Sequence, residues 1–262
     1  MKIAILGCGN MARAFFSGAK DVLRQDQIFT YTPSFTRADE LAKIINAMAI
    51  KSIDDLPVCD LVFIACKPQQ FPDLSKKLSL NSKSVVISLM AGVTMEVISN
   101  ALSTTQIIRT MPNTPSQVGE GVTLWCKSEN IEKEKLEKTM EILSSVSYTH
   151  QVAGDDEIDF LTGFTGSGPA YIFEWARIMI EKMSDKNIDA SKAKKIIGHT
   201  FLGASKLLLD SQETAKELRN NVTSPKGVTY EALKVFEKRS MQDIINEALD
   251  KAYERALELS KE

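Results

Sequence analysis

The chain has 262 residues, of which 44% are hydrophobic and 25% are charged, and its formal net charge at pH 7 is −2. These values are typical of a globular protein, and the near-zero charge gives no electrostatic reason to expect nucleic acid or an anionic membrane as a partner. No apolar run approaches the roughly 20 residues of a membrane span, and the four cysteines lack the paired spacing of a metal site. We therefore expect a cytoplasmic protein with no secretion signal and no bound metal.

The first predicted element is a buried strand that ends in a glycine-rich turn. The apolar run Ile3 to Leu6 is followed by Gly7 and Gly9, with Ala12 in the third small position. This Gly-x-Gly-x-x-Ala pattern presents main-chain N–H groups at a helix N-terminus, which suits a pyrophosphate. Glycine-rich turns are common, so the pattern is informative because it lies directly between a strand and a helical segment.

Short apolar runs then alternate with helical patterns, which predicts an α/β, Rossmann-like, doubly wound sheet. The predicted strands are Lys2–Leu6, Ile28–Tyr31, Leu61–Ala65, Val85–Leu89, Ile107–Thr110 and Val122–Trp125, with helices such as Arg37–Asn46 and Met95–Leu102 between them. After His150 the pattern changes to long amphipathic helices, two of them preceded by the capping residues Asp189 and Ser240. We place the domain boundary at residue 151, with a nucleotide-binding domain over 1–151 and an all-helical domain over 152–262.

The segment after the second strand indicates which nucleotide binds. In NAD-specific sites an acidic residue there binds the ribose 2′-hydroxyl, whereas a 2′-phosphate requires hydroxyls and an arginine. Here no carboxylate occurs before Asp39, while Thr32, Ser34 and Arg37 supply hydroxyls and a guanidinium. The sequence favours NADPH over NADH, although an ordinary polar loop is an equally good account of Arg37 alone.

Three further loops follow predicted strands, where the ligands of open parallel sheets bind. They are Ala65-Cys66-Lys67-Pro68-Gln69, Ser88-Leu89-Met90-Ala91-Gly92-Val93 and Arg109-Thr110-Met111-Pro112-Asn113-Thr114-Pro115. We expect these loops to face the cofactor. The first and third loops also have a plainer interpretation, because a loop lysine is usually solvated and a proline-rich loop can simply turn the chain.

Two segments of the second half carry further predictions. The run Ala170 to Met183 is apolar nearly all round, so we expect a helix buried against a second subunit, with Glu174, Arg177 and Glu181 paired along it. Ser224 is predicted to cap a later helix that has Pro225 in its first turn. The free N–H groups of residues 227–229 would then suit a small carboxylate, and a plain helix cap is the alternative.

Several of these segments together resemble the pyrroline-5-carboxylate reductase family. The resemblance covers nearly the whole chain, and its most specific parts are Thr165-Gly166-Ser167-Gly168-Pro169-Ala170-Tyr171 and Asn221-Val222-Thr223-Ser224-Pro225-Lys226-Gly227-Val228-Thr229. Two departures are visible: Lys226 occupies a position where the family usually has glycine, and Ser52 aligns with a frequent asparagine. The first concerns the geometry of the loop, and the second weakens one expected cofactor contact.

The resemblance implies a set of site residues. For the cofactor these are Gly7, Cys8, Gly9, Asn10, Met11, Thr32, Ser34, Arg37, Ser52, Ala65, Cys66, Lys67, Pro68, Ala91, Asn113 and Asn221. For the substrate they are Asp155, Ser167, Gly168, Ser224, Gly227, Val228 and Thr229. The Thr229 hydroxyl is expected to contact the ring nitrogen. From the residues alone, Asp155 belongs to a solvated acidic loop.

The implied activity is hydride transfer from NADPH, or more weakly NADH, to C5 of 1-pyrroline-5-carboxylate, giving L-proline. A protonated imine is already electrophilic, so no strong general acid is required. The family implies a homodimer, with dimers often stacked into a decamer. Two alternatives are another two-domain NADP-dependent dehydrogenase or imine reductase and a non-catalytic NADPH-sensing protein. The β-hydroxyacid type of dehydrogenase is expected to carry a lysine in the segment that matches Gly168 to Ile180, which contains none.

Overall fold

A computed structural model describes residues 1–260 of the chain. Within this range it contains eight β-strands and eleven α-helices. The strands are β1 Lys2–Leu6, β2 Gln27–Tyr31, β3 Met48–Ala49, β4 Leu61–Ile64, β5 Val85–Ser88, β6 Ile107–Pro112, β7 Gly121–Lys127 and β8 Ser147–Gln151. The helices are α1 Asn10–Gly18, α2 Phe35–Ile45, α3 Phe71–Ser75, α4 Met95–Leu102, α5 Lys133–Ser144, α6 Asp155–Thr165, α7 Gly168–Ser184, α8 Ala190–Asp210, α9 Ala215–Asn221, α10 Val228–Lys238 and α11 Met241–Leu259.

All the strands belong to one sheet, in the order β3-β2-β1-β4-β5-β6-β7-β8. The pair β6/β7 is antiparallel and the other neighbouring pairs are parallel, so β7 and β8 run opposite to the first six strands. The chain order reverses between β1 and β4. This reversal opens a crevice at the carboxyl ends of the strands, where nucleotides bind in doubly wound folds.

The central strands β1, β4 and β5 are mostly apolar because both faces of the sheet are covered. Ile3 and Ile5 of β1 belong to one core cluster, together with Phe15 of α1. Ala4 and Leu6 belong to a second cluster, on the opposite face. Side chains alternate across a strand, so a strand between two cores is apolar at most of its positions. The predicted doubly wound α/β architecture is confirmed.

The two strands that the sequence did not predict lie at the two edges of this sheet. β3 has only two residues, and the polar strand β8 leaves most of its side chains exposed or half-buried. An edge strand is paired on one side only, so it needs no continuous apolar run. The hydrophobic pattern of the sequence therefore did not indicate either strand.

Proximity of the Cα atoms divides the chain into two compact units. Unit one is Met1–Pro169 together with the C-terminal residues that begin at Lys251, and unit two is Ala170–Asp250. Helix α6 thus groups with the sheet, although it follows the domain boundary predicted at residue 151, which stays a prediction. The return of α11 to unit one is seen at Gly92, where an added Cβ would lie 2.8 Å from Cβ of Leu259.

Two of the helix caps predicted in the second half, Asp189 and Ser240, have different outcomes. The carboxylate of Asp189 accepts hydrogen bonds from the N–H groups of Ser191 and Lys192, so this cap is confirmed. Ser240 directly precedes α11, but its φ is +50° and its main-chain carbonyl accepts from the N–H of Ile244. Ser240 therefore begins the helix through its backbone.

Candidate functional site

The turn after β1 brings main chain from two strands into close contact at Gly7. Its φ is +98°, and an added Cβ would lie 2.3 Å from the amide nitrogen of Cys66. The Gly7 N–H donates to the carbonyl oxygen of Tyr31 at 2.8 Å. Glycine is required here for both its backbone angle and its lack of a side chain, and the contact joins the ends of β1, β2 and the loop after β4.

Helix α1 begins at this turn with free main-chain donors. Gly9 is its N-cap, and within residues 1–260 the N–H groups of Asn10, Met11 and Ala12 donate to no protein acceptor. A Cβ built on Gly9 meets nothing within 4 Å. Free donors beside open space at the positive end of a helix dipole form a suitable environment for a pyrophosphate.

A cleft of about 190 Å³ lies beside this turn, at the carboxyl ends of the strands. Gly7 and Cys66 line it, Tyr31, Thr32 and Pro33 contribute from the end of β2, and Gln69, Gln70, Asp73, Leu74 and Lys77 contribute from the segment after β4. The cleft thus spans the carboxyl ends of β2, β1 and β4, which include the point where the strand order reverses.

The start of α2 carries the residues predicted to distinguish NADPH from NADH. Ser34 is the N-cap, but its hydroxyl makes no capping hydrogen bond, and within the described range the Arg37 guanidinium has no acidic partner. The two nearest carboxylates along the helix are already paired, Asp39 with Lys43 at 2.6 Å and Glu40 with Arg13 at 3.2 Å. The hydroxyl and guanidinium are therefore available to a ligand.

The remaining predicted cofactor loops of unit one follow neighbouring strands. Lys67 is exposed after β4 and precedes a short 3-10 helix that includes Pro68. Ala91 follows β5, and Ser52 follows β3, where its hydroxyl donates to Oδ2 of Asp54 at 2.9 Å. The Ser52 side chain also accepts from the Asp54 N–H, so it caps a 3-10 turn. These loops all lie beyond the carboxyl ends of the strands, at one end of the sheet, because strands β1 to β6 are parallel.

Asn113 is buried, and both ends of its amide are used by the protein. Nδ2 donates to the carbonyl oxygen of Thr165 at 2.9 Å, and Oδ1 accepts from the N–H of Val122 at 2.8 Å. These bonds hold the end of α6 against the end of β6. Ser167 and Gly168, predicted to contact substrate, follow directly in the chain. The side chain of Asn113 thus positions the backbone around them.

The acidic segment around Asp155 is the first turn of α6, so the prediction of a loop is wrong; Asp156 and Glu157 are exposed as expected, but Asp155 is partly buried. Asp155 Oδ1 accepts from Nη1 of Arg109 at 2.6 Å, and Oδ2 accepts from the N–H of Met95 at 3.1 Å. Arg109 is 1% exposed and also donates to Asp159, whose pKa is raised by burial despite the adjacent guanidinium. Substrate contact by Asp155 stays a prediction, while its carboxylate demonstrably joins β6, α4 and α6.

Sequence reasoning missed Arg109 as the centre of this buried ion cluster. An arginine after Ile107 and Ile108, in a strand predicted to be central, could have indicated it, because a buried guanidinium requires acidic partners. Those partners are 46 and 50 residues away in the chain. Nothing local identifies them.

In unit two the helix predicted to be capped by Ser224 begins three residues later than expected, at Val228. The N-cap of α10 is Gly227, and its N–H donates to the carbonyl oxygen of Ser224 at 3.0 Å. Pro225 and Lys226 form the centre of this turn, with Lys226 at φ +58°. A proline followed by a left-handed residue is the geometry of a type II turn, which favours glycine at the second position. The cap prediction for Ser224 and the free N–H predicted for Gly227 are therefore wrong.

Free donors nevertheless occur one residue further on. Within the described chain the N–H groups of Val228, Thr229 and Tyr230 have no acceptor, and the Thr229 hydroxyl makes no hydrogen bond. Asn221, predicted to lie near the nicotinamide, is in the same unit and donates from Nδ2 to Oε1 of Glu213 at 2.7 Å. Unit two thus contains both a donor-rich helix end and Asn221.

The helix predicted to be buried by a second subunit is α7. In the isolated chain six of its large apolar side chains are between 38% and 65% exposed, namely Tyr171, Ile172, Phe173, Trp175, Ile178 and Met179. Arg177 donates to both Glu174 and Glu181, as predicted from their spacing. The described chain therefore presents a large apolar surface that it does not cover itself.

Residues 1–260 hold no group of three or more His, Cys, Asp or Glu side chains placed to bind a metal ion. The same range has no helix long and apolar enough to cross a membrane.

Comparisons with known proteins agree with both parts of the chain. Residues 155–259 match a family model described as pyrroline-5-carboxylate reductase dimerisation, and residues 2–92 match one described as NADP oxidoreductase, coenzyme F420-dependent. Pyrroline-5-carboxylate reductase of Escherichia coli is 31% identical over 99% of this chain and 98% of its own length. That of Synechocystis is also 31% identical, over 100% of this chain and 99% of its own length.

Solved structures give the same result. A pyrroline-5-carboxylate reductase from Coxiella burnetii matches with a TM-score of 0.85 and 31% identity, over 99% of this chain and 98% of that one. The Plasmodium falciparum pyrroline carboxylate reductase, solved with NADP bound, has a TM-score of 0.87 over 99% and 98% of the two chains. Its identity of 22% supports the fold alone.

Proposed function

The chain belongs to the pyrroline-5-carboxylate reductase family, and from this premise we propose that it reduces the cyclic imine of 1-pyrroline-5-carboxylate to the amine of L-proline. The relatives that carry the name are about as long as this chain and match it along its whole length. The chain is thus an NADP-dependent oxidoreductase of proline biosynthesis. Specificity for a CH–NH bond is the finer part of the proposal.

The observation that carries the proposal is the nucleotide-binding edge of unit one. The free N–H groups at the start of α1, the open space at Gly9 and the adjacent cleft fit a dinucleotide. Ser34 and Arg37 fit a 2′-phosphate, which favours NADPH. When bound, the reduced nicotinamide supplies the hydride that adds to the imine carbon.

The substrate end of the proposal rests on α10. The free N–H groups of Val228 and Thr229, at the positive end of the helix dipole, would hold the substrate carboxylate. The Thr229 hydroxyl oxygen would accept a hydrogen bond from the protonated ring nitrogen and so orient the ring. Orientation is the main task of the protein, because a protonated imine already accepts hydride readily. We propose that Asn221 lies near the nicotinamide end of the bound cofactor.

We also propose that the chain works as a homodimer. The matched dimerisation model includes all of α7, and the apolar side chains of that helix lack a cover in the single chain. Stacking of dimers into a decamer and a cytoplasmic location remain proposals from the family resemblance. Size-exclusion chromatography with light scattering distinguishes a monomer, a dimer and a decamer.

Turnover tests the proposal directly. Purified full-length protein is mixed with 1-pyrroline-5-carboxylate and either NADPH or NADH, and the absorbance of the reduced nicotinamide is followed while L-proline is quantified. We expect proline to form in amounts equal to the nicotinamide oxidised, faster with NADPH. Nucleotide binding without proline formation would instead support a non-catalytic sensor.

The arginine assigned to the 2′-phosphate has its own test. Replacing Arg37 with alanine should weaken NADPH by about tenfold, the loss of one charge-assisted hydrogen bond, and leave NADH nearly unchanged. Equal losses for both nucleotides would remove the phosphate role of Arg37.

A further inference from the structure

Lys51 is a cation at the nucleotide edge of the sheet that the sequence did not single out. It follows the short edge strand β3, and the preceding Ile50 N–H donates to the carbonyl oxygen of Thr30 in β2 at 3.0 Å. This bond extends the parallel β2/β3 pairing to the carboxyl end of both strands. Lys51 therefore leaves the sheet beside the segment that contains Thr32 and Ser34.

The side chain of Lys51 lies over the first residue of α2. Its Nζ is 5.7 Å from the centroid of the Phe35 ring, within the range of a cation–π contact. Phe35 directly follows the N-cap Ser34 and precedes Arg37 by two positions. The aromatic ring thus holds the ammonium group near the helix end where the predicted 2′-phosphate ligands are found.

The carboxylates on the segments around this helix end form no ion pair with the Lys51 ammonium. Of the acidic groups on the adjoining segments, Asp39 and Glu40 are paired with other cations, and Asp54 accepts a hydrogen bond from the Ser52 hydroxyl but has no cationic partner. Asp55 is exposed on the following 3-10 turn and makes no ion pair in residues 1–260. In that range Lys51, like Arg37, makes no ion pair with the protein.

We propose that Lys51 is a specificity-determining residue that contacts the 2′-phosphate of NADPH together with Ser34 and Arg37. This inference rests on the proposed use of NADPH. A phosphate monoester carries about 1.5 to 2 negative charges at pH 7, so one guanidinium leaves it incompletely neutralised. An ammonium held over Phe35 and the positive end of α2 supply the remainder. NADH lacks this phosphate and gains nothing from Lys51.

The test compares affinities for the two nucleotides in full-length protein. Dissociation constants for NADPH and NADH are measured by nicotinamide fluorescence at low ionic strength for wild type, Lys51→Gln and Lys51→Arg. We expect Lys51→Gln to weaken NADPH about three- to tenfold, as for a partly exposed charge on a dianion, and NADH less than twofold. The loss should shrink in 0.5 M salt, because exposed charges are screened, and Lys51→Arg should restore most of the affinity.

Lys20→Gln is the matched control, because it removes the same charge from an exposed lysine outside the predicted cofactor loops. We expect its two dissociation constants to equal those of wild type. Unchanged NADPH affinity in Lys51→Gln overturns the proposal. So does an equal loss for both nucleotides together with a lower melting temperature, because that result assigns Lys51 to the packing of Phe35. Wild-type protein that binds NADPH and NADH alike overturns it too.

The binding assay also separates this inference from the proposed reaction. Absence of proline formation with intact NADPH selectivity would refute the reductase assignment and leave the role of Lys51 standing. Normal proline formation together with unaltered NADPH selectivity in Lys51→Gln would support the reductase assignment and refute the role of Lys51.

Discussion

Gly7 and Gly9 belong to one short motif, but the structure predicts opposite consequences when each is replaced by alanine. At Gly7 the added Cβ would lie 2.3 Å from the main-chain nitrogen of Cys66 and 2.6 Å from the carbonyl carbon of Ala65. These are backbone atoms that cannot rotate away. At Gly9 the same atom meets nothing within 4 Å, and the backbone at φ −77° accepts any residue.

The magnitudes follow from these contacts. In Gly7→Ala, the backbone conformation costs about 1–2 kcal/mol and the steric overlap about 1–3 kcal/mol more. For a unit of this size, each kcal/mol lowers the melting temperature by roughly 2–4 °C. Gly9→Ala should change the free energy of unfolding by less than about 1 kcal/mol. Its methyl group instead occupies space facing the free N–H groups of α1, so we expect NADPH affinity to fall about tenfold or more, at least 1.4 kcal/mol.

The assay is a thermal unfolding curve paired with a fluorescence titration of NADPH, at one fixed protein concentration because dimerisation affects stability. Each variant serves as the control for the other. A Gly7→Ala protein as stable as wild type would refute the close approach at Cys66. A Gly9→Ala protein that binds NADPH normally would refute the location of the pyrophosphate.

Three further predictions test other parts of the structure. Thr229→Ala should lower kcat/KM for the imine by about tenfold or more, since a hydrogen bond to a charged group contributes about 1.5–3 kcal/mol. Thr229→Ser should recover most of the lost kcat/KM. Unchanged turnover in Thr229→Ala would remove the hydroxyl from the mechanism. Lys226→Gly should raise the free energy of unfolding by about 0.5–1 kcal/mol, measured in urea, because glycine relieves the left-handed backbone at φ +58°; a destabilised variant would contradict this reasoning. Burial raises the pKa of Cys8 to about 12 and that of Cys66 to about 11. At pH 8 the lower thiolate fraction should slow the reaction with iodoacetamide about a thousandfold at Cys8 and about a hundredfold at Cys66, compared with the protein in urea. Rapid labelling of either thiol in the folded protein would contradict the assigned burial.

The sequence predicted the centre of the sheet better than its edges. β1, β4 and β5 are apolar because helices cover both of their faces, and that pattern is visible in a single chain. β3 and β8 satisfy their hydrogen bonds at the edges without a continuous apolar run. Because β3 was not predicted, there was no reason from the sequence to consider Lys51. The pairing of β3 with β2 is what brings Lys51 beside the segment after β2.

The candidate site was predictable where local rules determine the structure. Gly7 and Gly9 lie in the turn expected of them, and Asp189 caps its helix through its own side chain. Ser224 followed by Pro225 matches the usual start of a helix, yet the left-handed Lys226 inserts a turn first and delays the helix to Val228. The partners of Arg109 could not be predicted, because their attachment depends on the packing of α6 against β6.

The path of the chain has a practical consequence for the design of variants. It leaves unit one after Pro169 and comes back at Lys251, so the helical unit is an insertion with both of its ends anchored in the same neighbour. A short deletion at the carboxyl terminus would therefore expose Gly92 and disturb the loop after β5, rather than trim the helical unit.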